Sequence, residues 1–217
     1  MSGWFIYEDE VHPPQLPALA PNFGLRPNKK WKHLLSELQR LNASATQGEQ
    51  YKLIFAGRHG EGNHNVAEEK YGTQAWDDKW ALLNGDGELV WGPDPDLTPL
   101  GVSQAQLIND QWKKLLSSSN KNDDPPPLPT KLFVSPMTRA MVTLQTTFDG
   151  ILLGTDSPLQ PHVRELWREV IGTHTCDTRD HVSGKRKRFP GWDIDSLAED
   201  DPYFLVSPAS AHDLAFL

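Results

Sequence analysis

The sequence predicts an α/β fold, a three-layer αβα sandwich with a mostly parallel sheet and helices on both faces. Apolar runs of strand length recur at 51–57, 131–135 and 159–167. Helix signals occupy 98–116 and 136–148 between them. Strands that alternate with helices are joined by crossovers rather than hairpins, which makes neighbouring strands parallel and covers the sheet with helices.

Taken in order, residues 1–27 are Pro-rich and aperiodic, and read as an extended arm lying on the body or as partly disordered. A helix over 29–42 follows from the stripe Trp31, Leu34, Leu35, Leu38 and Leu41. Small and polar residues from Ala43 to Gln50 form a linker. The chain is therefore divided into an arm and helix (1–50) and a main domain (51–217). Residues 51–57 are apolar with little alternation, as in a central strand. Residues 64–83 are expected to be helical or irregular, with Trp76, Trp80 and Leu83 buried. Asn84-Gly-Asp-Gly87 is turn chemistry, and Leu89-Val-Trp91 a short strand or lid. Thr98 is placed to cap a helix with Pro99 at its first position, running to Leu116. Ser117 to Thr130 is expected to be an exposed loop, Lys131 to Ser135 a strand, and Pro136 the opening of a helix reaching Phe148. After the strand at 159–167, residues 172–192 read as polar loop, with a solvated basic run at Lys185–Arg188.

Composition narrows the function. The net charge of −8 argues against nucleic acid or an acidic membrane surface as partner. A single cysteine, Cys176, forms no intrachain disulfide and suits a reducing compartment. No apolar run approaches the roughly 20 residues that span a bilayer, and Met1–Glu10 lacks the pattern of a secretory signal. The expectation is a cytoplasmic protein. The basic run offers a nuclear signal as a further localisation.

Three segments carry chemistry. Arg58-His59-Gly60-Glu61, with Asn65, follows the first strand; Asp96-Leu-Thr98-Pro-Leu-Gly101, with Gln104, opens a helix; Ser135-Pro-Met-Thr-Arg139-Ala-Met-Val-Thr143 joins a strand to a helix. Ligands of open α/β sheets bind at strand C-termini. Arg139, in the first helical turn, adds its charge to free N–H groups that favour anions. Two guanidinium groups and an imidazole nucleophile suit a phosphoryl group, whose transfer depends on positioning and charge stabilisation. Thr98 is read as an N-cap only, and Gln104 and Thr143 as packing or helix-surface residues. His162, His174, Cys176, Asp177 and His181 are zinc-ligand types, but no paired spacing supports a metal site.

These motifs, with Arg164-Glu165-Leu-Trp-Arg168-Glu169-Val-Ile-Gly172-Thr-His174-Thr-Cys176-Asp177-Thr-Arg179, resemble the histidine phosphatase superfamily, also called phosphoglycerate mutase-like. Within it the last of these segments is similar to a fungal and plant phosphomutase-like branch of probable phosphatases. The match runs over roughly residues 51–204. The resemblance implies a phosphatase acting on a phosphorylated small molecule, with no cofactor and no metal; a phosphomutase and an impaired phospho-ligand-binding protein are the alternatives. His59 would form a phosphohistidine while Arg58 and Arg139 hold the phosphoryl oxygens. Asn65 belongs to the phosphate-binding set by shaping the loop. The acid is expected to be Glu169, with Glu165 as rival, and His174 to Arg179 a loop over the pocket. The family's later histidine, in a Ser-His-Gly-like motif, has no match. The reading therefore expects the last strand and helix to be absent, with His212 as a degenerate remnant or no counterpart at all, and allows a homo-oligomer through the exposed sheet edge.

Overall fold

The computed structural model describes residues 3–8, 19–117, 124–169 and 171–203. His212, and with it any remnant of a late motif, lies outside the described residues. The chain falls into two compact units, one of Met1–Gly57 with Asp110–Pro129, the other of Arg58–Asn109 with Thr130–Leu217.

The first unit is built on helix α1, Trp31–Ala43. Trp31 and Leu34 are buried and Leu38 half-buried, one stripe at helical spacing. Leu25 and the rings of Phe5, Phe23 and Phe55 close over Trp31. The described residues of the expected arm thus join a core: Phe5 bridges Leu25 and Arg26 N–H donates to the Trp4 carbonyl. Asn22 and Phe23 both take positive φ (51° and 52°), and Asn22 accepts a hydrogen bond from the Trp31 indole. Lys30 stands at the N-cap of α1 and offers no acceptor. The Asp124 carboxylate accepts the Trp31 and Lys32 N–H groups instead, at 2.7 and 3.0 Å. The segment read as an exposed loop therefore caps a helix distant in sequence.

Residues 51–57 correct the sequence reading. They are extended but pair with no strand among the described residues. Leu53 and Phe55 pack on the Trp31 cluster while Ile54 is 76% exposed. The period of two shows one face half-buried and the other open. An apolar run reports a wish for burial; a ladder also requires a neighbour with free backbone groups, and none is supplied here.

In the second unit, α2 (Asn63–Tyr71) and α3 (Thr73–Asp78) occupy the stretch read as helical. Trp76, Ala67, Ala81, Trp91 and Cys176 form one buried cluster there, with Tyr71 stacked on Trp80 at 3.9 Å. Leu83, expected inside, is exposed. Gly85 and Val90 make a single antiparallel bridge across the predicted turn. Helix α4 runs Pro99–Leu116, with Pro99 at its first position. Strands β1 (Phe133–Val134) and β2 (His162–Val163) pair in parallel, Phe133 beside His162. Asp193 adds a parallel bridge on the far side of β2. Between the strands, α5 (Thr138–Phe148) packs Met141 against Val134 and Val163. The buried Asn109 of α4 donates to the Thr147 and Asp149 carbonyls, satisfying groups at the end of α5.

The architecture is mixed helix and strand with a small parallel sheet, the α/β class in its coarse form. Residues 182–188 are a second correction: they form helix α6 (Val182–Arg188), not loop. Its Val182 and Phe189 beyond it join the core, and Lys185 is buried. Among the described residues, no helix is long and apolar enough to cross a membrane.

Candidate phosphoryl-transfer site

The loop 58–62 is held by its neighbours' polar groups and by two glycines that meet without side chains. The Thr98 N–H and the Thr98 hydroxyl both donate to Glu61, to its carbonyl at 2.9 Å and its carboxylate at 2.6 Å. The same Thr98 oxygen accepts the Gly101 N–H at 3.0 Å, so it caps α4 as expected and anchors the loop as well. Glu61 N–H donates to Gln104, and Gly60 N–H to the Thr143 hydroxyl. A Cβ on Gly60 would lie 2.3 Å from the Gly101 carbonyl oxygen, and one on Gly101 would lie 2.1 Å from that of Glu61. Only glycine allows this approach. Gln104 and Thr143, read as packing or surface residues, are thus loop supports. The signal was their fixed place in the two motifs.

This loop sets the tautomer of His59. Its Nδ1 lies 2.6 Å from the Gly60 carbonyl, which can only accept, so Nδ1 carries a proton, and in the neutral ring Nε2 presents its lone pair. The His59 side chain is 5% exposed, and Nε2 has no hydrogen-bond partner among the described residues. Arg58, His59, Gly60, Glu61, Asn65 and Gln104 line a cavity of about 320 Å³. Asn65 uses its side-chain oxygen to accept the Gly62 N–H at 2.9 Å, which shapes the loop at the start of α2.

Arg139 and Glu169 converge on the same point. The Glu169 carboxylate sits 3.5 Å from His59 Nε2 and 3.9 Å from Arg139 Nη2, so imidazole and guanidinium meet across one carboxylate. The nearby His59 imidazole, with Arg139 and Arg58 in support, draws the Glu169 carboxyl down to about 2 against the opposing effect of partial burial. Arg139 is buried, donates from Nη1 to the Cys176 carbonyl at 2.9 Å, and keeps Nε without a hydrogen-bond partner among the described residues. The rival Glu165 is occupied elsewhere. It accepts from Arg179 Nε at 2.7 Å and from Arg168 Nη1 at 3.1 Å. Arg168 also holds Asp201 and the Asp177 carbonyl, which fixes the backbone next to Glu169.

Behind Arg139 lies a buried network that sequence reading did not find. Asp94 accepts from the Thr138 N–H at 2.7 Å, the Thr138 hydroxyl at 2.8 Å, the Asp180 N–H at 3.0 Å and Lys185 Nζ. Met137 offers no cap to α5, so Asp94 caps the helix that begins one residue before Arg139. A second omission is His64, buried beside His59 with ring centroids 5.3 Å apart. Its signal was its place next to Asn65 in the first turn of α2.

Of the five residues of zinc-ligand type, His162 pairs with Asp193 and His181 with Asp200. His174, Cys176 and Asp177 bring ligand atoms within 4.8 Å of one another. The guanidinium groups of Arg139 and Arg168 are bonded to the carbonyls of Cys176 and Asp177, so two positive charges already occupy that turn. Burial pushes the Cys176 thiol up to about 12, which opposes the thiolate a metal needs.

No family model matches the chain. It is 38% identical over 165 residues to a probable phosphoglycerate mutase of Arthroderma benhamiae, covering 76% of this chain and 47% of that protein. It is 34% identical over 157 residues to a probable phosphoglycerate mutase of Saccharomyces cerevisiae, covering 70% and 50%. It is 31% identical over 176 residues to phosphomutase-like protein 3 of Candida albicans, covering 81% and 48%. The chain spans about half the length of these curated relatives. Among solved structures, a phosphoserine phosphatase from Entamoeba histolytica in complex with 3-phosphoglyceric acid aligns at 18% identity and a TM-score of 0.30, over 65% of this chain and 56% of that one. Over the stretch that it shares with its curated relatives, the chain belongs to the phosphoglycerate mutase-like family, the histidine phosphatase superfamily.

Proposed function

We propose that this chain carries the phosphoryl-transfer centre of a phosphatase that hydrolyses a phosphorylated small molecule through a phosphohistidine on His59. The observation that carries the reading is the unpartnered His59 Nε2, its tautomer set by Gly60, facing Glu169 and Arg139. In the proposed reaction the Nε2 lone pair forms a bond to phosphorus and the bond to the leaving oxygen breaks. Arg58 and Arg139 hold the phosphoryl oxygens. Glu169 gives a proton to the leaving oxygen. Water then attacks phosphorus, returns a proton to Glu169 and releases phosphate from Nε2. A carboxyl near 2 is a poor acid while its neighbouring cations act on it alone. An arriving dianion takes over the cations that depress it and raises its affinity for the proton. Within this reading the small parallel sheet belongs to a three-layer αβα sandwich.

The relatives' names favour a second reading, a phosphomutase, which shares the first half-reaction. Hydrolysis is preferred because the Glu169 side chain is 57% exposed, which leaves water a path to the phosphoenzyme. p-Nitrophenyl phosphate hydrolysis by wild type and His59→Ala tests the reading. It expects hydrolysis and an acid-labile, alkali-stable phosphoenzyme in the wild type alone, and equal rates for the two proteins overturn it. Isomerisation of a phosphorylated sugar acid, primed by its bisphosphate, identifies the mutase.

A further inference from the structure

We propose that His64 is a second phosphoryl-binding imidazole of this site, donating a hydrogen bond to an oxygen of the group carried by His59. The inference rests on the phosphoryl-transfer reading above.

Three observations carry it. The ring is seated deliberately: a Cβ on Gly62 would lie 2.6 Å from both Nδ1 and Cε1 of His64, so the ring occupies the space that a glycine leaves. It stands beside the proposed nucleophile, 5.3 Å from the His59 ring and tilted by 54°, and the charges of Arg139, Glu169 and Arg58 act on it. Finally, it is unfinished. His64 is only 8% exposed, yet its Nδ1 has no hydrogen-bond partner among the described residues. A buried imidazole nitrogen without a partner is costly, and a residue that served packing alone would be better replaced by an apolar side chain.

The neighbours of this nitrogen suit a phosphoryl oxygen. His59 Nε2 and Arg139 Nε are likewise buried and without hydrogen-bond partners among the described residues. Two of these three nitrogens sit on rings whose centroids are 5.3 Å apart, a spacing that one phosphoryl group spans. Burial, with Arg139 and His59 adding to it, holds His64 neutral, its proton affinity lowered to about 3. A neutral imidazole keeps one N–H to donate at any working pH and adds no charge that would trap the product.

The test uses the full chain and two anions, orthophosphate and orthovanadate, titrated by calorimetry into wild type, His64→Phe and His64→Asn. Phenylalanine keeps the ring volume and removes both nitrogens; asparagine restores a donor near the Nδ1 position. The expected result is at least a tenfold rise in the dissociation constants and a matching fall in kcat/KM for p-nitrophenyl phosphate in the Phe variant, with partial recovery in the Asn variant. Without any substitution, the ring ¹⁵N resonances of His64 should shift on adding orthophosphate. Binding and turnover within twofold of wild type in the Phe variant, or unmoved resonances in an anion-saturated wild type, overturn the proposal. If wild type hydrolyses while His59→Ala does not, and His64→Phe matches wild type, only this inference fails. A wild type that neither binds the anions nor turns over sinks the parent reading with it.

Discussion

Replacing Lys185 with methionine tests how Arg139 is held. The Lys185 and Asp94 side chains are 2% and 0% exposed, and Lys185 Nζ donates to both Asp94 and the Thr138 hydroxyl. Methionine fills much of the lysine's volume but leaves the Asp94 carboxylate buried with no countercharge. Breaking such a pair from one side costs about 3–5 kcal/mol. For a chain of this size each kcal/mol is worth about 2–4 °C, so the midpoint should fall by roughly 6–20 °C. Adding Asp94→Asn removes the stranded charge and keeps an acceptor for the Thr138 N–H. The double variant should therefore lose at least about 1 kcal/mol less than the two single losses added together. Urea unfolding of the four proteins measures the coupling. Because Thr138 precedes Arg139, the single variant should also bind orthophosphate more weakly. A Lys185→Met protein within about 1 kcal/mol of wild type, or strict additivity in the cycle, would refute the network as a clamp.

Two further predictions follow from the site. Glu169→Gln should lower kcat by about 10²–10⁴ with an alkyl phosphate, and far less with p-nitrophenyl phosphate, whose leaving group departs without a proton; equal losses would assign Glu169 to binding. The depressed proton affinity of His64, from its ordinary 6.5 to about 3, makes acid destabilising, because below 6.5 the unfolded chain takes a proton that the native site refuses. This stability is intact above 6.5 and is lost as the pH falls toward 3. Between pH 7 and 5 the loss is about 2 kcal/mol. Urea titrations at both values should find it in wild type and not in His64→Asn; the same pH dependence in both proteins would remove His64 as its source.

Much of the candidate site was legible in the residues. Arg58, His59, Arg139 and Glu169 were marked by type and by their places at strand ends and a helix start, and the structure brings His59, Arg139 and Glu169 to one point. The helices over 31–43, 99–116 and 138–148 lay close to their predicted bounds, because periodicity and the Thr98-Pro99 start are local signals. Where local signals ended, reading went astray. The basic run at 185–188 looked solvated, since four consecutive cations carry no mark of the buried Asp94 that one of them meets, across 91 residues.

What the sequence alone determined was therefore what lies within reach of a few residues: which polar side chains share a motif, and where a helix can begin. The tertiary structure decided everything that needs a distant partner. Residues 51–57 were apolar enough to be a strand, but the described chain offers no backbone neighbour to complete a ladder. Neither Lys30 nor Met137 can cap a helix, and the caps come from Asp124 and Asp94, in the case of α1 across 93 residues. Two arginines likewise claim Glu165 in space, while Glu169 lies against His59 and Arg139. Hydrogen bonds and ion pairs act over about 3 Å, a distance that sequence separation does not encode.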